Sequence, residues 1–166
     1  MIKIFSYNDF NEYCNSLGVN DINVETDFSD YAFISIIGTD DCMKYYIEEP
    51  DAKHYFSTNH SNVINLEFDD LPRDITWNGH LFKAMSDDDS KKLFEFIERN
   101  IGKKFIIHCW AGQSRSAAVG KFINVFYGDR YNDKYDIPDT PNIHVYTNLT
   151  RKYYNKYGLF GQKEES

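Results

Sequence analysis

The residues with the clearest chemical potential lie in one short segment, residues 107–116, with the sequence IHCWAGQSRS. Cys109 could act as a nucleophile, because a thiol near a helix N-terminus loses its proton more easily than a free thiol. Arg115 follows after five intervening residues and offers a planar fork of donors that matches two oxygens of a phosphoryl group. Gly112 lies between them, where its missing Cβ permits a sharp turn. The segment is interpreted as a phosphate-binding loop with a nucleophile at its base.

The flanking sequence predicts the elements that position this segment. The apolar run Phe105–Ile107 indicates a strand before it, and a helical pattern runs from Ser116 to about Tyr127. A strand, a tight loop and a helix in this order direct backbone N–H groups and a helix N-terminus toward one point, which suits an anion. The candidate phosphate-binding residues are therefore Trp110, Ala111, Gly112, Gln113, Ser114 and Arg115.

The same segment resembles the signature of the cysteine-dependent protein tyrosine and dual-specificity phosphatase superfamily. In that signature His-Cys is followed by five residues, an Arg, and then Ser or Thr. The residues at the fixed positions are here His108, Cys109, Gly112, Arg115 and Ser116. The sequence AGQSRS of residues 111–116 is most similar to that of the dual-specificity branch and its bacterial and phage-type relatives. The resemblance implies a protein tyrosine phosphatase-like fold and hydrolysis of phosphomonoesters.

The resemblance also implies a mechanism. The thiolate of Cys109 attacks phosphorus, and water then cleaves the phosphocysteine, without a metal ion or another cofactor. Ser116 is expected to donate to the sulfur and help it leave in the second step. His108 is expected to order the loop through hydrogen bonds to the backbone rather than to act as an acid or a base. Trp110 is large for its position and is expected to wall the pocket or to anchor the loop.

An acidic loop just beyond a predicted strand is the expected place of the general acid. Residues 63–68 read VINLEF and predict a strand, and Asp69, Asp70 and Asp74 follow it. Open α/β sheets bind their ligands beyond the carboxyl ends of the strands. The resemblance implies an acidic Asp on a loop a few tens of residues before the cysteine. Strand alternation places Asp70 on the same face as the apolar residues Leu66 and Phe68, which matches the strand-then-Asp pattern that the resemblance implies, so Asp70 ranks first, Asp69 second and Asp74 third.

The remaining pattern predicts an α/β fold in a single domain over residues 1–166. We expect a mainly parallel central sheet of four or five strands with helices on both faces. The predicted strands are Met1–Phe5 at an edge, Phe33–Ile37, Val63–Phe68 and Lys104–Ile107. The predicted helices cover residues 8–17, residues 87–101 with Gly102 as C-cap, residues 116–127 and residues 143–154, and residues 162–166 form a charged, flexible tail.

The composition restricts the partners that the protein is expected to have. The formal net charge is −8, which argues against binding to nucleic acid or to an anionic membrane. The three cysteines fit neither a disulfide framework nor a metal-binding spacing, which favours a reducing cytoplasm. No signal peptide and no apolar run of the ~20 residues needed for a membrane helix is apparent. We expect a cytoplasmic monomer that acts on a phosphorylated protein or peptide.

Several alternatives remain open at the level of sequence. A phosphate-binding pseudophosphatase would keep the loop without catalysis, and a redox or sulfur-transfer cysteine would leave Arg115 and Ser116 unexplained. An RNA 5′-triphosphatase shares the loop pattern, but the chain lacks a basic stripe. The uncharged residues between Cys109 and Arg115 favour a singly phosphorylated side chain, with phosphotyrosine and phosphoserine or phosphothreonine not separated. The irregular stretch Thr39–Ser61 is expected either to shape the pocket entrance or to be a solvated excursion that includes a short helix near Met43–Glu48.

Overall fold

Four parallel strands build the central sheet, and a two-stranded antiparallel hairpin lies beside it. The computed structural model describes residues 1–41, 52–131 and 136–158. The strands are β1 (Ile2–Phe5), β2 (Tyr31–Ile37), β3 (Val63–Glu67), β4 (Ile75–Trp77), β5 (His80–Phe82) and β6 (Lys104–His108). The helices are α1 (Tyr7–Leu17), α2 (Asp87–Asn100), α3 (Arg115–Tyr127) and α4 (Ile143–Tyr157), with a 3₁₀ turn at Gly128–Arg130.

The strand order in the sheet is β1-β6-β2-β3, so β6 pairs with a strand on each side. All three pairings are parallel, so each connection must run from the carboxyl end of one strand back to the amino end of the next strand. The carboxyl end of β6 therefore lies between two neighbouring strands, at the end of the sheet where all four parallel strands terminate. Residues that follow β6 are flanked there by the ends of β1 and β2.

Helices cover both faces of the sheet, as the apolar runs of the strands require. On one face, Phe10 and Cys14 of α1 pack with Phe33 and Ile106 of the sheet. On the other face, α2, α3 and α4 pack with the sheet in a larger cluster that includes Ile34, Leu93, Ile107, Phe122 and Leu149. The predicted single α/β domain with a mainly parallel sheet flanked by helices is confirmed, and Cys14 lies in the core of that domain.

The helix boundaries follow the capping residues closely. The side chains of Ser6, Ser86 and Asn142 each accept a hydrogen bond from the first turn of α1, α2 and α4. One cap was predicted wrongly: Ile101 is the C-cap of α2, and Gly102 follows it with a φ of 96°. A glycine just past the C-cap supplies the left-handed conformation that ends many helices.

Two further differences from the sequence prediction concern the segment after β3. The strand ends at Glu67, so Phe68 lies just beyond it. The strands β4 and β5 were not predicted; a turn at residues 77–80 joins them, with positive φ at Asn78 and Gly79, which is the backbone that a tight hairpin needs. The predicted helix near Met43–Glu48 and the tail at 162–166 lie outside the described residues. No helix in the described ranges is both long and apolar enough to span a membrane.

Candidate active site

The sulfur of Cys109 lies just past the carboxyl end of β6, and the residue is only 2% exposed. Its Sγ is 3.0 Å from the hydroxyl oxygen of Ser116, and the backbone N–H groups of Ser116 and Ser114 also donate to it. Burial alone would raise the pKa of this thiol, but the charge of Arg115 and these hydrogen bonds together outweigh burial and lower it. The thiolate form is therefore more populated near neutral pH than in a free cysteine.

Arg115 begins helix α3 and lies under the same loop, with only 6% of the residue exposed. One guanidinium nitrogen, Nη1, donates to the carbonyl oxygen of Phe68 at 2.7 Å, which ties the arginine to the end of β3. Its Nε is buried and has no hydrogen-bond partner among the described residues. A buried donor without an acceptor costs free energy. An anion that reached this nitrogen would supply that acceptor.

The cysteine loop (residues 109–115) lies directly against the start of α1. Gly112 has a φ of +69°, and a Cβ built on it would lie 2.7 Å from the carbonyl carbon of Phe5 and the nitrogen of Ser6. The backbone N–H of Tyr7 donates to the carbonyl of Trp110 at 3.0 Å. The Trp110 ring stacks on that of Tyr7, with 5.3 Å between centroids. The expectation that Trp110 anchors the loop agrees with this contact.

The close approach at Gly112 leads to a prediction on stability. We expect Gly112→Ala to lower the free energy of unfolding by about 2–4 kcal/mol, because it adds backbone strain and overlap with a main chain that cannot move aside. Gly18→Ala is the matched control: Gly18 has nearly the same φ, +72°, but nothing lies within 4 Å of its Cβ position. Its cost should be near 1 kcal/mol. Equal losses for the two variants in urea unfolding would contradict the close contact.

Asp70 is exposed and reaches the rim of the cysteine loop. Its Oδ1 accepts hydrogen bonds from the hydroxyl of Ser114 at 2.7 Å and from the side-chain amide of Asn142 at 2.6 Å. Asn142 also caps α4 and donates its backbone N–H to the carbonyl of Ser114 at 3.0 Å. Thr140 donates to the carbonyl of Gln113. The segment before α4 thus braces both the loop and Asp70, a contact that the sequence pattern did not predict.

Asp69 and Asp74, the other two candidates for the acid, accept hydrogen bonds from other segments of the chain. Asp69 is 1% exposed and accepts from the N–H and hydroxyl of Thr39 and from the N–H of Lys83. Asp74 accepts from the backbone N–H of Ala84 at 3.0 Å. Both carboxylates tie the hairpin region to its neighbours. Of the three, Asp70 is the carboxylate that contacts the cysteine loop.

His108 lies behind the loop and is 1% exposed. Its Nδ1 is 3.2 Å from the carbonyl oxygen of Cys109, and its Nε2 is 2.7 Å from the hydroxyl of Ser35. Burial lowers the pKa of His108 to about 3, so the ring is neutral at physiological pH. The same Ser35 hydroxyl lies 2.7 Å from Nδ1 of His54. Ser35 and His54 were missed from sequence; Ser35 is buried in β2 directly opposite His108 in the strand register.

The stretch Thr39–Ser61 contributes to the surroundings of the loop where it is described. Thr39 holds Asp69, and the hydroxyl of Tyr7 lies 3.1 Å from both the N and the O of Lys53. Neither the pocket-entrance role nor the solvated excursion is decided by these contacts, and residues 42–51 of this stretch lie outside the described ranges.

Within residues 1–41, 52–131 and 136–158, no three His, Cys, Asp or Glu side chains are grouped so that they could hold a metal ion. Comparisons of the chain with known protein families, with curated proteins and with solved structures give no match. The resemblance to cysteine-dependent phosphatases stays a prediction that rests on residues 108–116 and on their arrangement in space.

Proposed function

We propose that this protein is a cysteine-dependent phosphatase that hydrolyses phosphomonoesters on proteins, of the tyrosine or dual-specificity type. The observation that carries the proposal is the set of groups around one sulfur: a thiol whose pKa is lowered, with Ser116 at 3.0 Å and the guanidinium of Arg115 close by. A structural cysteine needs neither a charge beside it nor a lowered pKa, and Cys14 in the same chain has a pKa raised by burial to about 12.

The first step proposed is attack of the Cys109 thiolate on phosphorus, in line with the ester oxygen that leaves. The sulfur–phosphorus bond forms as the phosphorus–oxygen bond breaks, and the leaving oxygen takes a proton. The backbone N–H groups of residues 110–115 and the Arg115 guanidinium hold the three non-bridging oxygens. Asp70, held beside the loop by Ser114 and Asn142, supplies the proton.

The second step proposed is hydrolysis of the phosphocysteine. Asp70, now ionised, accepts a proton from a water molecule as that water attacks phosphorus, and the thiolate of Cys109 leaves. The hydroxyl of Ser116 donates to the departing sulfur, which its 3.0 Å distance allows without a change of rotamer. No group in either step changes oxidation state, so the cycle needs only the phosphomonoester and water.

Trapping of the covalent intermediate tests this proposal. After acid quench of a reaction with a phosphotyrosine peptide, we expect mass spectrometry to find one phosphoryl group on the tryptic peptide that contains Cys109. Ser116→Ala should slow the second step roughly tenfold, since a lost hydrogen bond to a charged group costs about 1.5 kcal/mol. The labelled fraction should therefore rise in that variant.

Two outcomes would count against the proposal. If inorganic phosphate is released but no peptide carries a phosphoryl group in the parent or in Ser116→Ala, the reaction does not pass through Cys109. If neither phosphate release nor labelling occurs while a phosphotyrosine peptide binds, the protein is a phosphate-binding pseudophosphatase. EDTA is included in a parallel reaction, and we expect it to leave turnover unchanged.

A further inference from the structure

Three buried or half-buried side chains form a continuous hydrogen-bonded row behind the cysteine loop. The hydroxyl oxygen of Ser35 lies 2.7 Å from Nε2 of His108 on one side and 2.7 Å from Nδ1 of His54 on the other. His108 continues the row to the carbonyl oxygen of Cys109 at 3.2 Å. At the outer end, Nε2 of His54 is 3.7 Å from a carboxylate oxygen of Glu67, beyond hydrogen-bond distance.

The donor and the acceptor of each hydrogen bond in this row can be assigned, beginning at the Cys109 carbonyl. The Cys109 carbonyl can only accept, so Nδ1 of His108 carries its proton. The ring is neutral, so its Nε2 offers a lone pair, and the Ser35 hydroxyl must donate to it. That hydroxyl has no second proton and accepts from Nδ1 of His54. Burial lowers the pKa of His54 to about 4, which leaves its Nε2 without a proton near neutral pH.

The direction of the row matters for the loop because the peptide bond is planar and trans. The carbonyl of Cys109 and the N–H of Trp110 belong to one peptide unit and point in opposite directions. No peptide bond in the described residues is cis. A donor that holds the carbonyl toward the His108 ring therefore also directs the Trp110 N–H away from it. That N–H is the first of the N–H groups of residues 110–115 that are proposed to hold the phosphate.

We propose that Ser35 and His54 are positioning residues that hold His108 in the tautomer donating from Nδ1 to the Cys109 carbonyl. They touch neither the sulfur nor a bound phosphate, and they act through the orientation of one peptide unit. A ring free to exchange its tautomers would present a lone pair to that carbonyl for part of the time, and the loop would lose a fixed contact. The effect on turnover rests on the proposed function, whereas the tautomer and the reactivity of the thiol do not.

The tautomers can be read directly by ¹⁵N long-range correlation spectra of the histidine rings. In the parent protein, we expect His108 and His54 each to carry the proton on Nδ1. In Ser35→Ala, His108 should show a mixture of tautomers. A parent spectrum with the His108 proton on Nε2 would overturn the proposal.

A matched pair of substitutions at His54 separates the hydrogen bond from packing. His54→Asn keeps an amide donor near the position of Nδ1, and His54→Leu removes it at similar volume. We expect His54→Leu and Ser35→Ala to raise the pH midpoint of Cys109 alkylation by iodoacetate by about 0.5–1, the worth of one hydrogen bond. They should lower kcat about tenfold with little change in KM, and His54→Asn should restore both values. Alkylation is followed by mass spectrometry on the Cys109 peptide.

The control is His60→Leu, which removes a ring whose Nε2 lies 2.7 Å from a carboxylate oxygen of Asp21. His60 lies near the start of β3, at the amino ends of the strands and away from the cysteine loop. It should alter the urea midpoint but neither the tautomer of His108 nor the alkylation profile. If Ser35→Ala does not fold, the comparison of His54→Leu with His54→Asn tests the proposal without it. Parent-like alkylation in both His54→Leu and His54→Asn overturns the proposal. The alkylation midpoint could shift in Ser35→Ala and His54→Leu while the unsubstituted protein shows no phosphatase turnover. That result would support the positioning role and refute only the phosphatase proposal.

Discussion

Cys109→Ser should lose turnover of an aryl phosphate by about 10³-fold or more and still bind a phosphotyrosine peptide. Serine places a hydroxyl where the thiolate was, and a hydroxyl stays protonated near neutral pH, so the nucleophile is lost. The groups expected to hold the phosphate are untouched, since they are the loop N–H groups and the Arg115 guanidinium. Steady-state kinetics with a chromogenic aryl phosphate and calorimetric titration with a peptide measure the two properties separately.

Cys14→Ala is the matched control for this substitution. Cys14 is also fully buried, but it lies in α1, where burial raises its pKa. Its loss should reduce stability through a small cavity and leave kcat/KM near that of the parent, measured well below the unfolding midpoint. Turnover that survives in Cys109→Ser, or that falls equally in both variants, would remove Cys109 from its proposed role.

Asp70→Asn should slow hydrolysis of a phosphotyrosine peptide by roughly 10²-fold or more, the usual worth of a positioned acid. The loss should be much smaller for an aryl phosphate whose phenol is strongly acidic, because such a leaving group departs without a proton. An amide at position 70 can still accept through its oxygen from Ser114 and Asn142. The variant therefore tests proton transfer with the surrounding contacts largely kept. A series of aryl phosphates with phenols of graded pKa measures the dependence.

Asp74→Asn is the control, because Asp74 lies on the same acidic segment and, among the described residues, accepts a hydrogen bond only from the backbone N–H of Ala84. It should show no dependence on the leaving group beyond that of the parent. Asp69→Asn is a poor control, since its carboxylate accepts from three buried or half-buried donors and its loss should destabilise the protein by about 1–3 kcal/mol. A leaving-group effect in Asp74→Asn instead of Asp70→Asn would move the acid to Asp74.

Much of the site could be predicted because its signals are local in sequence. The cysteine loop, the strand before it and the helix after it lie within residues 104–127, so the apolar pattern of neighbouring residues and the turn at Gly112 are enough to predict them. Asp70 could be ranked first among three aspartates from strand alternation together with the resemblance, which implies an acidic Asp on a loop upstream of the cysteine. Its actual partners, Ser114 and Asn142, are separated from it by 44 and 72 residues.

The parts that could not be predicted depend on register and on long-range packing. Ser35 faces His108 because β2 and β6 pair with these two residues opposite each other, and a shift by one residue would turn Ser35 to the other face. His54 meets Ser35 from a segment that has no regular pattern in the sequence. The β4–β5 hairpin is only three residues on each side, too short for its alternation to be distinguished from a loop.

The placement of β1 beside β6 has a consequence for the order in which the chain acquires its structure. Among the described strands, β1 pairs only with β6, and about one hundred residues separate Ile2 from its partner Phe105. A ribosome that adds about 5–20 residues per second leaves β1 without its neighbour for several seconds. The backbone of Phe5 and Ser6, against which Gly112 rests, is in place only when β6 and the following loop have emerged. Residues 104–112 must therefore leave the ribosome before Gly112 can contact Phe5 and Ser6, so the cysteine loop cannot reach these contacts early in synthesis.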